Sequence, residues 1–375
     1  MKQEQDMKSK ARVIAMYLPQ YHPIPENDEW WGKGFTEWTN VGKAKPLFRG
    51  HYQPRVPADL GYYDLRLPVV REQQAELARE AGVEGFMYWH YWFGNGKTLL
   101  AEIFDDVVKS GKPDFPFCLG WANHSWTNRT WNSSAQYQKS RNLLVQTYPG
   151  DDDIIAHFNN VLPAFQDKRY ITVDGKPLFV IYAPLDYQEC SHFIAMWRDL
   201  AIKAGLKGIH FVGLASGWES NYQKTLDLGF DALTLSNIWN AQVAVNHGKI
   251  LHLIRSVIRD RFPRWAPLDK YPYKEVVKHL FCEWDRKENG YPQIIPNWDR
   301  SPRGGRRATI YTGSTPELFR QHVLDALHLV EQKQEEHKIL FLRSWNEWAE
   351  GNYMEPDLKF GHGYLDALKD ALTDQ

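Results

Sequence analysis

Glu347 and Glu350 stand three residues apart in the segment Arg343-Ser344-Trp345-Asn346-Glu347-Trp348-Ala349-Glu350-Gly351, directly after four apolar residues, Ile339, Leu340, Phe341 and Leu342. One helical turn would put both carboxylates on one face, within reach of a common ligand. Paired carboxylates are the usual equipment for glycosidic bond cleavage, one protonating the leaving oxygen and the other handling the nucleophile. Trp345 and Trp348 offer apolar faces for a sugar ring. The competing reading is a solvated helix start, where acidic residues are favoured, with the Trp side chains in the core. Position tips the balance. An unbroken apolar run reads as a strand buried on both faces, and the carboxyl ends of parallel strands carry the active site in α/β folds.

Seven other segments resemble that strand, placed at Val13, Phe86, Phe117, Leu178, Phe211, Ala232 and Ile294. Helical spacing lies between them at residues 68–82, about 98–110, near 152–165, 191–204, 222–228 and 316–336. Eight alternating units predict an α/β fold of the (β/α)8 TIM-barrel type with long βα loops. No Gly-rich phosphate motif follows the first strand, which weakens an open, doubly wound sheet. Residues 1–11 are charged and read as a flexible N-terminus, and 12–375 read as a single catalytic domain. Residues 24–67 form a long connection, of the kind that is more often functional than idle. After the sixth strand the rhythm breaks into a basic, aromatic insertion, about 236–289, carrying Arg255, Arg259, Arg261, Arg264, Lys270, Lys274 and Lys278.

A formal net charge of -1 provides no global field for nucleic acid, so charged partners must be met locally. Aromatic residues make up 14% of the chain and fall beside His, Asn and Gly at strand ends. Such faces suit flat, hydroxylated ligands, so an oligosaccharide or polysaccharide is the expected partner. His22, His90 and His124 all fall at strand ends, but no close His pair supports a metal site, and neither metal nor cofactor is called for. The run Arg300, Arg303, Arg306 and Arg307 reads as a solvated loop, with phosphate, pyrophosphate or uronate binding as the alternative. Three scattered Cys, no apolar leader and no membrane-length run point to a cytoplasmic chain without a transmembrane segment. The oligomeric state is not legible.

The motifs Tyr17-Leu18-Pro19-Gln20-Tyr21-His22, Gly34-Phe35-Thr36-Glu37-Trp38, Tyr88-Trp89-His90-Tyr91-Trp92, Trp121-Ala122-Asn123 and Trp345 to Gly351 together resemble the WbsX family, described as glycoside hydrolase family 99-like. The resemblance spans nearly the whole chain. It implies a glycan-active barrel, related to retaining endo-α-mannosidases and endo-α-mannanases whose catalytic pair lies in a Glu-Trp-His-Glu motif. Here Ala349 stands in place of the His. Carried over, Glu347 is the base for the substrate 2-hydroxyl and Glu350 the acid for the leaving oxygen, with a 1,2-anhydro sugar between. Tyr17, Gln20, His22, Trp38, Trp89, His90, Trp92, Asn123, Trp126, Trp298, Trp345, Asn346 and Trp348 are the expected substrate-binding residues. The leading expectation is a retaining endo-acting α-glycoside hydrolase. The alternatives are a glycosyltransferase of O-antigen or capsular polysaccharide assembly and a barrel that binds carbohydrate without catalysis.

Overall fold

β-Branched and aromatic residues buried on both faces form eight strands in the computed structural model, which describes residues 9–131, 138–217, 219–262 and 265–373. They are β1 (Arg12–Tyr17), β2 (Gly85–Trp92), β3 (Phe117–Trp121), β4 (Lys176–Ile181), β5 (His210–Ser216), β6 (Ala232–Ser236), β7 (Gly290–Ile294) and β8 (Ile339–Leu342). Each pairs in parallel with its neighbours in chain order. The ring closes where β1 pairs with β8, Arg12 opposite Ile339 and Ala15 opposite Leu342. This is a (β/α)8 barrel, so all eight carboxyl ends open on one rim.

Helices cover the outside. Pro68–Glu80, Asp151–Phe165, Cys190–Lys203 and Pro316–Val330 each lay an apolar stripe on the barrel. Two boundaries differ from the sequence reading. Thr98–Leu99 continues as a short strand antiparallel to the end of β2, so helix begins only at Ala101. The last crossover helix stops at Val330, and Glu335–His337 forms a separate 3₁₀ turn.

The insertion after β6 folds as the helices Ile238–Val245 and Lys249–Arg261 and a strand, Asp269–Pro272. That strand pairs in parallel with Thr309–Thr312 from the loop after β7. A small second core of Ala241, Tyr271, Tyr273, Val276, Ile295 and Trp298 joins the two loops. Arg264 and residues 1–8 lie outside the described residues, but Ala11 is buried and the Lys10 amide donates to the Leu372 carbonyl at 3.4 Å. Among the described residues no helix is long and apolar enough to cross a membrane.

Candidate active site

Beyond β8 the chain makes a tight hairpin: Asn346–Glu347 pairs antiparallel with Asn352–Tyr353 around the 3₁₀ turn Trp348–Glu350. Glu347 ends the first strand of this hairpin and Glu350 ends its turn, and both line the same cavity. Asn346 anchors the hairpin to the end of β1: its Oδ1 accepts from the Leu18 amide at 2.7 Å and its Nδ2 donates to the Leu18 carbonyl at 3.0 Å. The Trp345 amide adds a bond to the Met16 carbonyl at 2.7 Å. Gly351 ends the turn at φ 70°, where an added Cβ would lie 2.8 Å from the Asp299 amide nitrogen. That close approach lets the Asp299 amide donate to the Glu350 carbonyl at 2.7 Å.

One guanidinium organises the acids. Arg303 is buried, with NH1 donating to Glu350 Oε1 at 2.6 Å, NH2 to Glu347 Oε2 at 2.7 Å and Nε to Glu37 Oε2 at 2.7 Å. Its plane lies over Trp131, 4.1 Å from the ring centre. Glu37 is itself fully buried at the start of the helix Glu37–Lys43, where Asn40 Nδ2 donates to Oε1 at 2.9 Å. Arg300 Nε reaches Glu350 Oε1 at 3.1 Å.

The two acids of the pair therefore have different electrostatic surroundings. Burial works to raise both. At Glu350 the guanidinium groups of Arg300, Arg303 and Arg343 win, and its carboxyl is lowered to about 2. Glu347 is raised to about 7 by burial, with Arg303 the one cation opposing it and the Glu350 and Glu37 charges reinforcing it. Of the two, Glu347 is the one whose surroundings favour holding a proton.

Both carboxylates line a cavity of about 330 Å³ at the carboxyl rim, walled by Trp89, Tyr91, His124, Trp131 and Tyr182. A second cavity of about 390 Å³ adjoins it and shares Tyr182 and Arg343. Asp299, beside the pair, accepts from His51 and Gln53 at 2.8 Å each. Burial raises its carboxyl, yet the His51 hydrogen bond and the Arg55 charge prevail and lower it to about 2.

Of the expected sugar contacts, only Trp89 lines the principal cavity with the pair. Strand parity explains the correction, since alternate residues face opposite sides. Met16 and Leu18 face the cavity, so Tyr17 points outward and its hydroxyl donates to Gln74 Oε1 at 2.7 Å. Trp89 and Tyr91 face in, which turns His90 to His157 at 2.9 Å and Trp92 Nε1 to Asp153 at 3.0 Å. Burial lowers His90 to about 4, as for a neutral core imidazole. Ala122 and His124 face in, leaving Asn123 to bridge to the Ala183 carbonyl at 2.9 Å.

The remaining expected contacts also stand behind the wall. Gln20, His22, Trp126, Trp345 and Asn346 are fully buried. Trp348 Nε1 donates to Glu355 at 2.6 Å, Trp38 Nε1 to the Tyr63 carbonyl at 2.8 Å, and Trp298 belongs to the second core. His22, His90 and His124 do not converge, and no group of three metal-ligating side chains occurs among the described residues. The solvated-loop reading of the Arg run also fails for Arg303, which is 5% exposed and locked onto carboxylates.

Residues 13–368 match the model of the family described as "Glycosyltransferase WbsX". The chain belongs to the WbsX family. The uncharacterized protein WxcX of Xanthomonas campestris pv. campestris strain B100 is 36% identical over 367 residues, and that of strain ATCC 33913 matches equally. These matches take in 97% of this WbsX chain but 50% of each relative, so the chain spans about half their length. Among solved structures, a glycoside hydrolase-like protein superposes with a TM-score of 0.63 at 16% identity, covering 99% of this chain and 96% of that one. The GH99 endo-alpha-mannosidase from Bacteroides thetaiotaomicron superposes with a TM-score of 0.53 at 14% identity, covering 96% and 95%. At these identities the likeness is one of fold.

Sequence reasoning missed Glu37, Tyr91, Tyr182 and the bridging role of Arg303. Glu37 carried a signal: an acid in the aromatic stretch Gly34-Phe35-Thr36-Glu37-Trp38 of a long loop. Arg303 carried none, because nothing local separates a bridging Arg from its neighbours in a basic run.

Proposed function

We propose that this WbsX-family chain is a carbohydrate-active enzyme, a retaining endo-acting α-glycoside hydrolase with Glu347 and Glu350 as its catalytic pair. One observation carries the reading: two carboxyl groups on one tight hairpin, in unequal electrostatic surroundings, lining an aromatic-walled cavity. An acid and a base whose environments push them apart are what bond cleavage near neutral pH requires.

In this reading the roles are the reverse of those that the resemblance implies, because two guanidinium groups, of Arg300 and Arg303, meet Glu350 while Glu347 shares only that of Arg303. Glu347, whose carboxyl is raised by burial, is the acid. Glu350, held ionised by Arg300 and Arg303, is the base. Neighbouring 2- and glycosidic oxygens of one sugar can both be reached from one turn. Glu350 takes the 2-hydroxyl proton as that oxygen attacks the anomeric carbon, and Glu347 gives its proton to the departing oxygen. A 1,2-anhydro sugar results. Water then opens it, losing its proton to Glu347 while Glu350 returns a proton to the 2-oxygen. Two inversions at the anomeric carbon amount to retention.

The adjoining cavities support endo action, since a chain bound across both would continue beyond the sugar at the pair. Incubation with a panel of bacterial polysaccharides, read by mass spectrometry, is expected to yield oligosaccharides rather than monosaccharides. Proton NMR of the first products should show the retained anomer. Release of monosaccharide alone, or of the inverted anomer, would overturn the reading.

A second reading, glycosyl transfer from an activated sugar, is favoured by the family's description and by Arg129 and Arg343 in the cavity wall, where an anionic leaving group would sit. Calorimetric binding of a sugar nucleotide, abolished by Arg343→Ala, would favour it over hydrolysis.

A further inference from the structure

The helix Lys249–Arg261 of the insertion is amphipathic and faces the wrong way for a globular core. Ile250 and Val257 are 75% and 65% exposed, and Leu251, Leu253, Ile254 and Ile258 are all exposed too. The inner side carries His252, which is buried, and Arg259, which pairs with Asp269 at 2.5 Å. At 100° per residue the six aliphatic positions form one arc, broken only by the last residue of the helix, Arg261, and the other polar positions form the opposite arc. The chain leaves this helix through Phe262, 57% exposed, to Trp265, 87% exposed.

Charge says what covers this face. Between 249 and 265 the sequence has Lys249, Arg255, Arg259, Arg261 and Arg264 against the single acid Asp260. Behind the helix a cavity of about 260 Å³ is lined by Arg255, Arg259 and Lys270 beside Ile258 and Leu268, with Asp269 as its one carboxylate. Cations next to aliphatic side chains match the boundary between phosphate headgroups and acyl chains. An apolar helix face flanked by Lys and Arg and ending in Trp and Phe is the composition of a helix lying in that interface. The excess of five cations over one acid in 249–265 favours an anionic lipid surface.

We propose that this insertion docks the enzyme on an anionic phospholipid bilayer. The helix lies in the plane of the membrane, with the basic cavity behind it receiving a headgroup. Because the insertion leaves the carboxyl end of β6, docking brings the rim that bears the principal cavity to the membrane side. The inference does not depend on the catalytic roles above.

The test is co-sedimentation of the 375-residue chain with vesicles of phosphatidylcholine alone and of phosphatidylcholine mixed with phosphatidylglycerol. Sedimentation is expected with the mixed vesicles. The double variant Ile254→Glu/Val257→Glu, altered only at exposed positions and checked by circular dichroism, is expected to partition about tenfold less or weaker. Failure of the wild type to sediment with the mixed vesicles would overturn the proposal, as would equal partitioning of the double variant. A wild-type dimer that the same two substitutions dissolve would also overturn it, and would assign the face to a second copy of the chain.

Discussion

Arg303 meets Glu37, Glu347 and Glu350 with one guanidinium, so its loss takes the cation from Glu347 and leaves Glu37 to Asn40 and Glu350 to Arg300. Removing one partner of a buried ion pair typically costs about 3–5 kcal/mol. Arg303→Met is expected to lose stability in that range in urea at about pH 8 and distinctly less at about pH 5, where the acid left without its cation can protonate. Equal losses at the two values would mean that the acids do not depend on Arg303 for their charge. The kinetic counterpart concerns Glu347, raised to about 7, and Glu350, lowered to about 2. If Glu347 is the acid, kcat/KM falls as pH rises through about 7 and is flat well below it. A profile that rises through that pH would make Glu347 the base.

The hairpin after β8 is the element that turns two glutamates into a pair. Gly351 sits at φ 70° with the Asp299 backbone 2.8 Å from where a Cβ would be. Strain of this kind costs on the order of 1–3 kcal/mol. Gly351→Ala is expected to lose at least that in thermal unfolding and to lower turnover more than a remote substitution of equal cost. Full turnover in the folded variant would show that the turn does not position Glu350. The eight strands were legible because residues buried on both faces form unbroken apolar runs, as Ile339 to Leu342 do. The side chains facing the cavity were less so, although parity was available: once Trp89 faces in, Tyr91 must and His90 cannot. The Glu37 to Arg303 bridge was not legible at all. It spans 266 residues of sequence and exists only because the loops after β1 and β7 meet on the same rim.

Across the whole molecule, buried acids that are lowered and buried acids that are raised act oppositely on how stability responds to pH. Asp299, folded at about 2 against an ordinary 3.8, contributes about 2 kcal/mol. That contribution is present above pH 3.8 and lost as pH falls toward 2. Burial raises Glu347 and Glu355 from 4.5 to about 7, so their contribution is complete below 4.5 and lost as pH rises through 7. Calorimetric Tm is therefore expected to decline between about pH 5 and pH 8, and a rise over that interval would refute the buried-acid assignment. The central claim is the division of labour between Glu347 and Glu350. Leaving-group dependence tests it most directly, once a cleaved glycan has identified the sugar. Glu347→Gln is expected to lose about 10²–10⁴-fold on the natural linkage yet keep most of the first-turnover rate of dinitrophenol release from the corresponding 2,4-dinitrophenyl α-glycoside, a step that needs no acid. Glu350→Gln should lose both substrates. The opposite pattern, with Glu350→Gln spared on the activated glycoside and Glu347→Gln dead on both, would contradict the account and return the acid role to Glu350.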